Sequence, residues 1–312
     1  MSSSSASSSL SPIMTTAIKA LSPILDTFTA VLAKYPPLTK AHTNYGVGVR
    51  TVYPASPARD ALKKGETPEP YTPVYHVADV VISSAWAPGK PPAQSWADPE
   101  CNDIEAEVAT QVAAGRKRVM SYGLSLTDLS FNRVNGFPVN PMGLTGITGR
   151  GELGLWGPNP AADPIIFRMI NAMLCVLLIQ RADGTKQWAF PGGMVDPTDP
   201  TISATAVREL WEETRLAIKD LFQYSLGPVY NGYVDDARNT DNAWMETNAY
   251  AWFLTDDVPS NKIKLSEGGD GEETLAAKWV PVTPDLLEDG RLFASHAAIL
   301  RGAVGKLIQL AA

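Results

Sequence analysis

Glu209, Glu212 and Glu213 fall at i, i+3 and i+4 in the stretch Arg208-Glu209-Leu210-Trp211-Glu212-Glu213, and no other feature limits so narrowly what this chain can fold into. At about 100° per residue the three carboxylates share one side of a helix, while Val207, Leu210 and Thr214 form a separate, core-facing arc. Like charges on one stripe cost roughly a few tenths of a kcal/mol per pair, and Arg208 offsets only part of that, so a cation is expected beside them. Carboxylate oxygens are hard ligands that suit Mg2+, with Mn2+ as the alternative, and Mg2+ typically engages one or two carboxylates together with substrate phosphates. Ahead of the helix, Gly192-Gly193 lets the backbone come close to a ligand and leaves amides free to face an anion. A turn and helix of this kind fit metal-assisted cleavage of a diphosphate. The competing reading is a solvated acidic face paired with lysines.

Of the 312 residues 45% are hydrophobic and 19% charged, enough apolar material for one or two buried cores. The formal charge of −7 argues against nucleic acid or an anionic membrane as a partner, because phosphate affinity needs clustered Lys and Arg. The basic cluster Arg116-Lys117-Arg118 is short and reads as a solvated turn or helix end. Cys101 and Cys175 lie far apart without metal-ligand spacing, and Cys175 sits in the apolar run Met173 to Ile179, where a buried thiol is expected. The apolar stretch Pro164 to Leu178 is broken by Arg168 and Asn171, so no membrane span is indicated. The expectation is a monomer in the cytoplasm or mitochondrion, not a secreted protein.

Three regions divide the chain. Residues 1–45 are Ser-rich and acid-poor, with an amphipathic stretch (Ile18, Leu21, Leu25, Phe28, Leu32). This part reads either as a targeting segment or as a disordered tail with a short helix. Residues 46–163 form a proline-rich N-terminal cap domain, with one β-like run from His76 to Ile82, a helix from Ile104 to Met120 and a Gly- and Pro-rich loop passage from Asn135 to Pro164. Residues 164–312 are strand-rich, with strands at Ala172 to Arg181, Gln187 to Phe190, Val229 to Val234, Ala249 to Leu254 and Ala277 to Val282. Helices from about Ile202 to Leu216 and Ser295 to Leu310 complete this part, and the mixture predicts a layered α/β sandwich.

The acidic helix resembles the box of the Nudix hydrolases, G-x5-E-x7-R-E-U-x-E-E-x-G-U with U aliphatic. Here Gly193 leads through Asp199 and eight further residues to Arg208-Glu209-Leu210-Trp211-Glu212-Glu213-Thr214-Arg215-Leu216. Asp199 replaces the first glutamate, one residue is inserted before Arg208, and Arg215 replaces the final glycine. The insertion falls where loop length is cheaply varied. Two further stretches, Arg133 to Gly151 with Gly157 to Pro164, and Gly232 to Thr247, resemble the ADP-ribose pyrophosphatase branch of the family, which includes the Nudix-like domain fused to some melastatin-type cation channels. The similarity runs from about Pro73 to His296.

The resemblance implies an α/β/α sandwich with a mixed sheet and Mg2+-dependent hydrolysis of ADP-ribose to AMP and ribose 5-phosphate. The rival activities are hydrolysis of another nucleoside diphosphate derivative and non-catalytic ADP-ribose binding. It implies that Glu209, Glu212 and Glu213 carry the metal and that Gly192 and Gly193 face the substrate. Asp236, Arg238, Asp241 and Asn242 lie on a loop that either contacts substrate, with Arg238 on a phosphate and Asp236 on ribose, or is a solvated hairpin. Thr145 and Arg150 either close over the ligand or tie the loop. His296 is either a phosphate contact or a structural donor, with Phe293 beside it in core or pocket. Trp188 and Trp244 belong to the core or stack on adenine, Trp244 being favoured by its place in the motif. Glu267 and Asp270 are the candidate general bases, with a water assisted by Glu209 as the alternative.

Overall fold

The computed structural model describes residues 10–35, 73–85, 96–98, 133–134, 137–182, 184–196, 199–216, 221–234, 236–256, 258, 265, 274–288 and 290–312. In chain order these form α1 (Pro12–Lys19), β1 (Val74–Val77), α2 (Asp79–Ala85), β2 (Arg133–Val134), β3 (Phe137–Pro138), β4 (Ile147–Gly151), β5 (Gly157–Ile170), β6 (Met173–Arg181), β7 (Trp188–Ala189) and β8 (Gly193–Met194). Then come α3 (Ile202–Thr214), β9 (Ser225–Tyr233), β10 (Ala243–Leu254), β11 (Thr274–Pro281) and α4 (His296–Ala311). The main sheet runs β11-β6-β5-β10-β9, with β7 added to β6 and β8 to β5. Its β5–β10 pairing is parallel and the others antiparallel, giving the mixed sheet of an α/β fold. Helix α3 packs on β5, β8 and β11, and α4 packs on β9 and α1. Among the described residues no helix is long and apolar enough to cross a membrane.

The run Leu174 to Ile179 is buried because β6 is interior, flanked by β5 and β11. Cys175 lies within it, and burial pushes its thiol up against the opposing pull of Arg168. Strand β5 overturns the loop expected from Asn135 to Pro164, since ordered strand begins at Gly157 and runs across position 163–164. Prolines normally argue against an interior strand, because each lacks a ladder donor. Here Pro158, Pro160 and Pro164 are spaced by even numbers, so all three point to the same edge. That edge faces β8, as the Pro160 carbonyl accepting from Val195 shows, while the Gly157 amide donates toward Asn242 on the other side. The ladder to β10 is therefore intact over its whole length.

Other readings also change. The run His76 to Ile82 splits, with strand ending at Val77 and α2 beginning at Asp79, because only Val81 of the second half finds a buried place, against Ala97. Val207 is not on the core side of α3 but 40% exposed, since the buried arc is built by Ala206, Leu210 and Thr214 with Glu209 and Glu213. Within the stretch read as a targeting segment or a tail with a short helix, Pro12–Lys19 is helical and short helical turns follow to Leu32. Met14, Ile18, Leu21, Leu25 and Phe28 are buried in the main core, where α1 and the following turns meet α4. The helix expected at Ile104 to Met120 lies outside the described residues.

Candidate functional site

A cavity of about 610 Å³ opens where β5, the Gly192-Gly193 turn, α3, the end of β9 and the start of α4 converge, within the size range of small-molecule sites. Helix α3 supplies its floor. Its start is capped by Thr201, whose side chain accepts from the Ala204 amide at 3.1 Å. Glu209 and Glu213 are 8% and 4% exposed, so two of the three glutamates are buried, while the Glu212 side chain stays 48% exposed. Glu213 accepts from the Gly192 amide at 2.7 Å through one oxygen and from the Thr274 hydroxyl at 3.1 Å through the other. It thereby locks the glycine turn to the helix, and the Gly192 amide, expected to be free to face an anion, is given to Glu213 instead. Glu209 lies against Gly193, where a Cβ would stand 2.4 Å from Oε1 and 2.8 Å from Oε2, so a side chain at 193 would push the carboxylate from its present place.

Arg208 organises the stripe. It donates to Glu209 and Glu212 at 2.9 Å each, to Asp199 at 2.8 and 3.1 Å, and to the Met194 carbonyl at 3.2 Å. These acceptors push its guanidinium further up, with Asp199 the main cause. Burial alone would raise the Asp199 carboxyl, but hydrogen bonds from Arg208, the Asp196 amide and Thr205 hold it below the usual range. Among the described residues no three His, Cys, Asp or Glu groups converge to enclose a metal ion. An ion at Glu209, Glu212 and Glu213 would thus take part of its shell from water and ligand phosphates, as Mg2+ commonly does.

The opposite wall carries Asp236, Arg238, Arg181, Phe293 and His296. Arg238 forks onto Asp236 with two 2.8 Å bonds, and its own amide adds a third at 2.9 Å. Burial would raise the Asp236 carboxyl, but the Arg238 charge and these bonds pull it below its ordinary value. His296 Nδ1 accepts from the Phe190 amide at 2.9 Å, and its ring stacks on Phe190 and meets the edge of Phe293. Burial lowers its pKa, with Arg181 in the same direction and Asp163 and Asp236 opposing. The ring is held neutral with Nε2 as its donor.

The family model described as NUDIX domain matches residues 158–299, and one described as NUDT9-like, N-terminal domain matches residues 67–157. The chain is 38% identical over 229 residues to a Caenorhabditis elegans protein named "Putative nudix hydrolase 6", covering 69% of this chain and 83% of that one. The chain belongs to the Nudix hydrolase family. It is also 34% identical over 260 residues to a Rattus norvegicus protein named "ADP-ribose pyrophosphatase, mitochondrial", covering 74% of this chain and 67% of the relative. A third relative, the Nematostella vectensis "Transient receptor potential cation channel subfamily M member-like 2", is 34% identical over 282 residues, which is 80% of this chain but 17% of the channel.

At two of the places where this chain departs from the Nudix box, Asp199 pairs with Arg208, and Arg215 adopts a left-handed conformation at φ 60°. Of the substrate candidates, Gly192, Gly193, Asp236, Arg238, Phe293 and His296 line the cavity, along with Glu209 and Glu213. Five others do not. Trp244 is 1% exposed and donates to Glu246 at 3.0 Å, so it is core. Asp241 is consumed by Thr145, whose hydroxyl donates to it at 2.6 Å. Asn242 bridges the Gly149 amide and the Pro138 carbonyl at 2.9 Å each. Arg150 is fully buried, donating to the carbonyls of Asp98 and Gly154 above the Trp156 ring. Thr145, Asp241 and Asn242 thus tie the loop 140–151 to the loop 236–242, while Arg150 holds the segment at Asp98 to Gly154, and none of the five faces the cavity. Glu267 and Asp270 lie outside the described residues.

Sequence reasoning missed Trp96, Asp163, Arg181 and Thr247 in the cavity wall. Asp163 accepts from Thr247 at 2.6 Å, a pair that the parallel register of β5 and β10 creates. Reading Gly157 to Pro164 as strand, with period two, would have exposed it.

Proposed function

We propose that this protein hydrolyses the diphosphate bridge of ADP-ribose, giving AMP and ribose 5-phosphate, with Mg2+ or Mn2+ as cofactor and as a monomer in the cytoplasm or mitochondrion. The observation that carries this reading is the meeting, in one cavity, of the buried pair Glu209 and Glu213 with the Gly192-Gly193 turn and the Arg238, Arg181 and His296 donors. The name of the rat relative supports ADP-ribose as the substrate. A divalent ion held by Glu209, Glu212 and Glu213 would neutralise charge on the bridging phosphates and acidify water.

The protein's own contribution is preorganisation. Glu213 fixes the glycine turn through the Gly192 amide, and Gly193 leaves Glu209 space beside the backbone. Asp236 holds the Arg238 fork in place, so the charge that develops on phosphoryl oxygens meets a cation needing little reorientation. His296 offers a neutral N–H to the ribose phosphate end. The proton from the attacking water goes to Glu267 or Asp270, with Glu209 as the alternative acceptor.

A second reading, a binding module without turnover, has one observation in its favour: Arg208 occupies Glu209 and Glu212, which an ion would have to share. Incubation with ADP-ribose and Mg2+ in 18O-labelled water, followed by product analysis, separates the two. AMP and ribose 5-phosphate should form, and the double variant Glu212→Gln/Glu213→Gln should lower turnover by roughly 100-fold or more, the scale on which single charge-stabilising groups act. Unchanged turnover in that variant would remove the catalytic assignment. Binding without products in the wild type would establish the second reading.

A further inference from the structure

Resting on that reading, we propose that Trp96 is the platform on which the substrate's base stacks, supplied to the cavity by the N-terminal region. Among the described residues, the cavity is lined by Trp96, Phe190 and Phe293 besides the His296 imidazole. Both phenylalanines are engaged elsewhere. Phe190 is 1% exposed and stacked on His296, and Phe293 carries the Arg181 guanidinium 4.1 Å from its centroid. Trp96 keeps 37% of its surface exposed in a wall that otherwise offers charged groups, small residues and aliphatic side chains.

The indole is not loosely attached. Its six-membered ring lies directly on Gly154, where an added Cβ would stand 2.4 and 2.5 Å from two ring carbons. Its chain neighbours Ala97 and Asp98 are fully buried. The Asp98 amide donates to the Gly154 carbonyl at 2.7 Å, its carboxylate accepts from the Trp156 amide at 2.9 Å, and its carbonyl accepts from Arg150. Trp96 is thus a preformed surface that loses little freedom when a flat ligand arrives.

The chemistry of the cavity allots this surface to the base. Phosphates find donors at Arg238, Arg181 and His296, and a neutral indole offers them nothing comparable. A purine has the extended π-face that an indole recognises, and such stacking tolerates changes of base because every base has such a face. Trp96 therefore sets affinity for base-bearing substrates rather than choosing among bases. Gly154 acts through it as a positioning residue.

Calorimetric titration of AMP into the wild type, Trp96→Ala, Trp96→Phe and Gly154→Ala tests the assignment, with melting temperatures recorded for each. AMP affinity should fall roughly 5- to 150-fold in Trp96→Ala, the range of base–aromatic stacking, and stay within about threefold in Trp96→Phe. Gly154→Ala, whose Cβ would press on the Trp96 ring and on its backbone carbonyl, should weaken AMP as well. Wild-type AMP affinity in Trp96→Ala, or an equal loss in a stably folded Trp96→Phe, overturns the assignment while leaving the hydrolase reading in place. If the wild type neither binds AMP nor cleaves ADP-ribose, the functional reading falls and Trp96 with it.

Discussion

His296 gives one ring nitrogen to its own fold, since Nδ1 accepts the Phe190 amide, and a proton on that nitrogen would break the bond. Its folded pKa is lowered from the ordinary 6.5, first by burial. The unfolded chain therefore takes up this proton at higher pH than the folded protein. The resulting stability is complete above 6.5 and is lost as pH falls from there toward the folded value. Melting curves between about pH 7.5 and about pH 5 should show the wild type losing stability more steeply than His296→Asn, which keeps an acceptor but cannot titrate. Parallel curves would dissociate His296 from the effect. At this scale the sequence discloses which residues carry chemistry, through the three glutamates and the glycine pair, but not whom they bond. Thr145 and Asp241 meet across 96 positions, and no periodicity announces such a tie. Asp199 is similar: its pairing with Arg208 follows from the turn at Asp196 and the helix start, which bring them together only once folded.

Secondary-structure elements were legible where pattern and environment agree. The apolar run of β6, the capped α3 and the amphipathic α4 stand close to where their spacing places them. Strand β5 was hidden because proline content is read as loop, whereas the ladder cares only about which edge loses its donors. The end of α3 holds a testable departure. Arg215 adopts a left-handed conformation that costs a non-glycine residue about 1–2 kcal/mol, while its guanidinium recovers about 0.5–1 kcal/mol over the Trp211 ring, 4.4 Å away. Arg215→Gly should leave the protein as stable or up to about 1 kcal/mol more stable in urea unfolding, by relief of that strain. A drop of about 1 kcal/mol or more would mean that the ring contact outweighs the backbone term.

For the whole molecule, the N-terminal segment is part of the core rather than an appendage. Met14, Ile18, Leu21, Leu25 and Phe28 are buried against α4, and Arg301 stacks on Tyr35 with 3.7 Å to the ring centroid. Each such apolar side chain contributes about 1.5–3 kcal/mol on burial, so together they rival the entire net stability of a domain, about 5–15 kcal/mol. Removal of residues 1–35 should yield an aggregating or molten protein, seen as loss of a cooperative melting transition. A truncated chain melting like the full one would refute this. Amphipathic spacing had marked all of these core residues but Met14, yet nothing in their order names α4 as the partner.

The strand that starts beside Gly154 and the loop that clamps Asp98 are one uninterrupted piece of backbone, which carries Asp163 further along to the cavity's other side. Any widening between Trp96 and Asp163 would consequently have to bend this one stretch of chain, whose second half is pinned along its length by the ladder to β10.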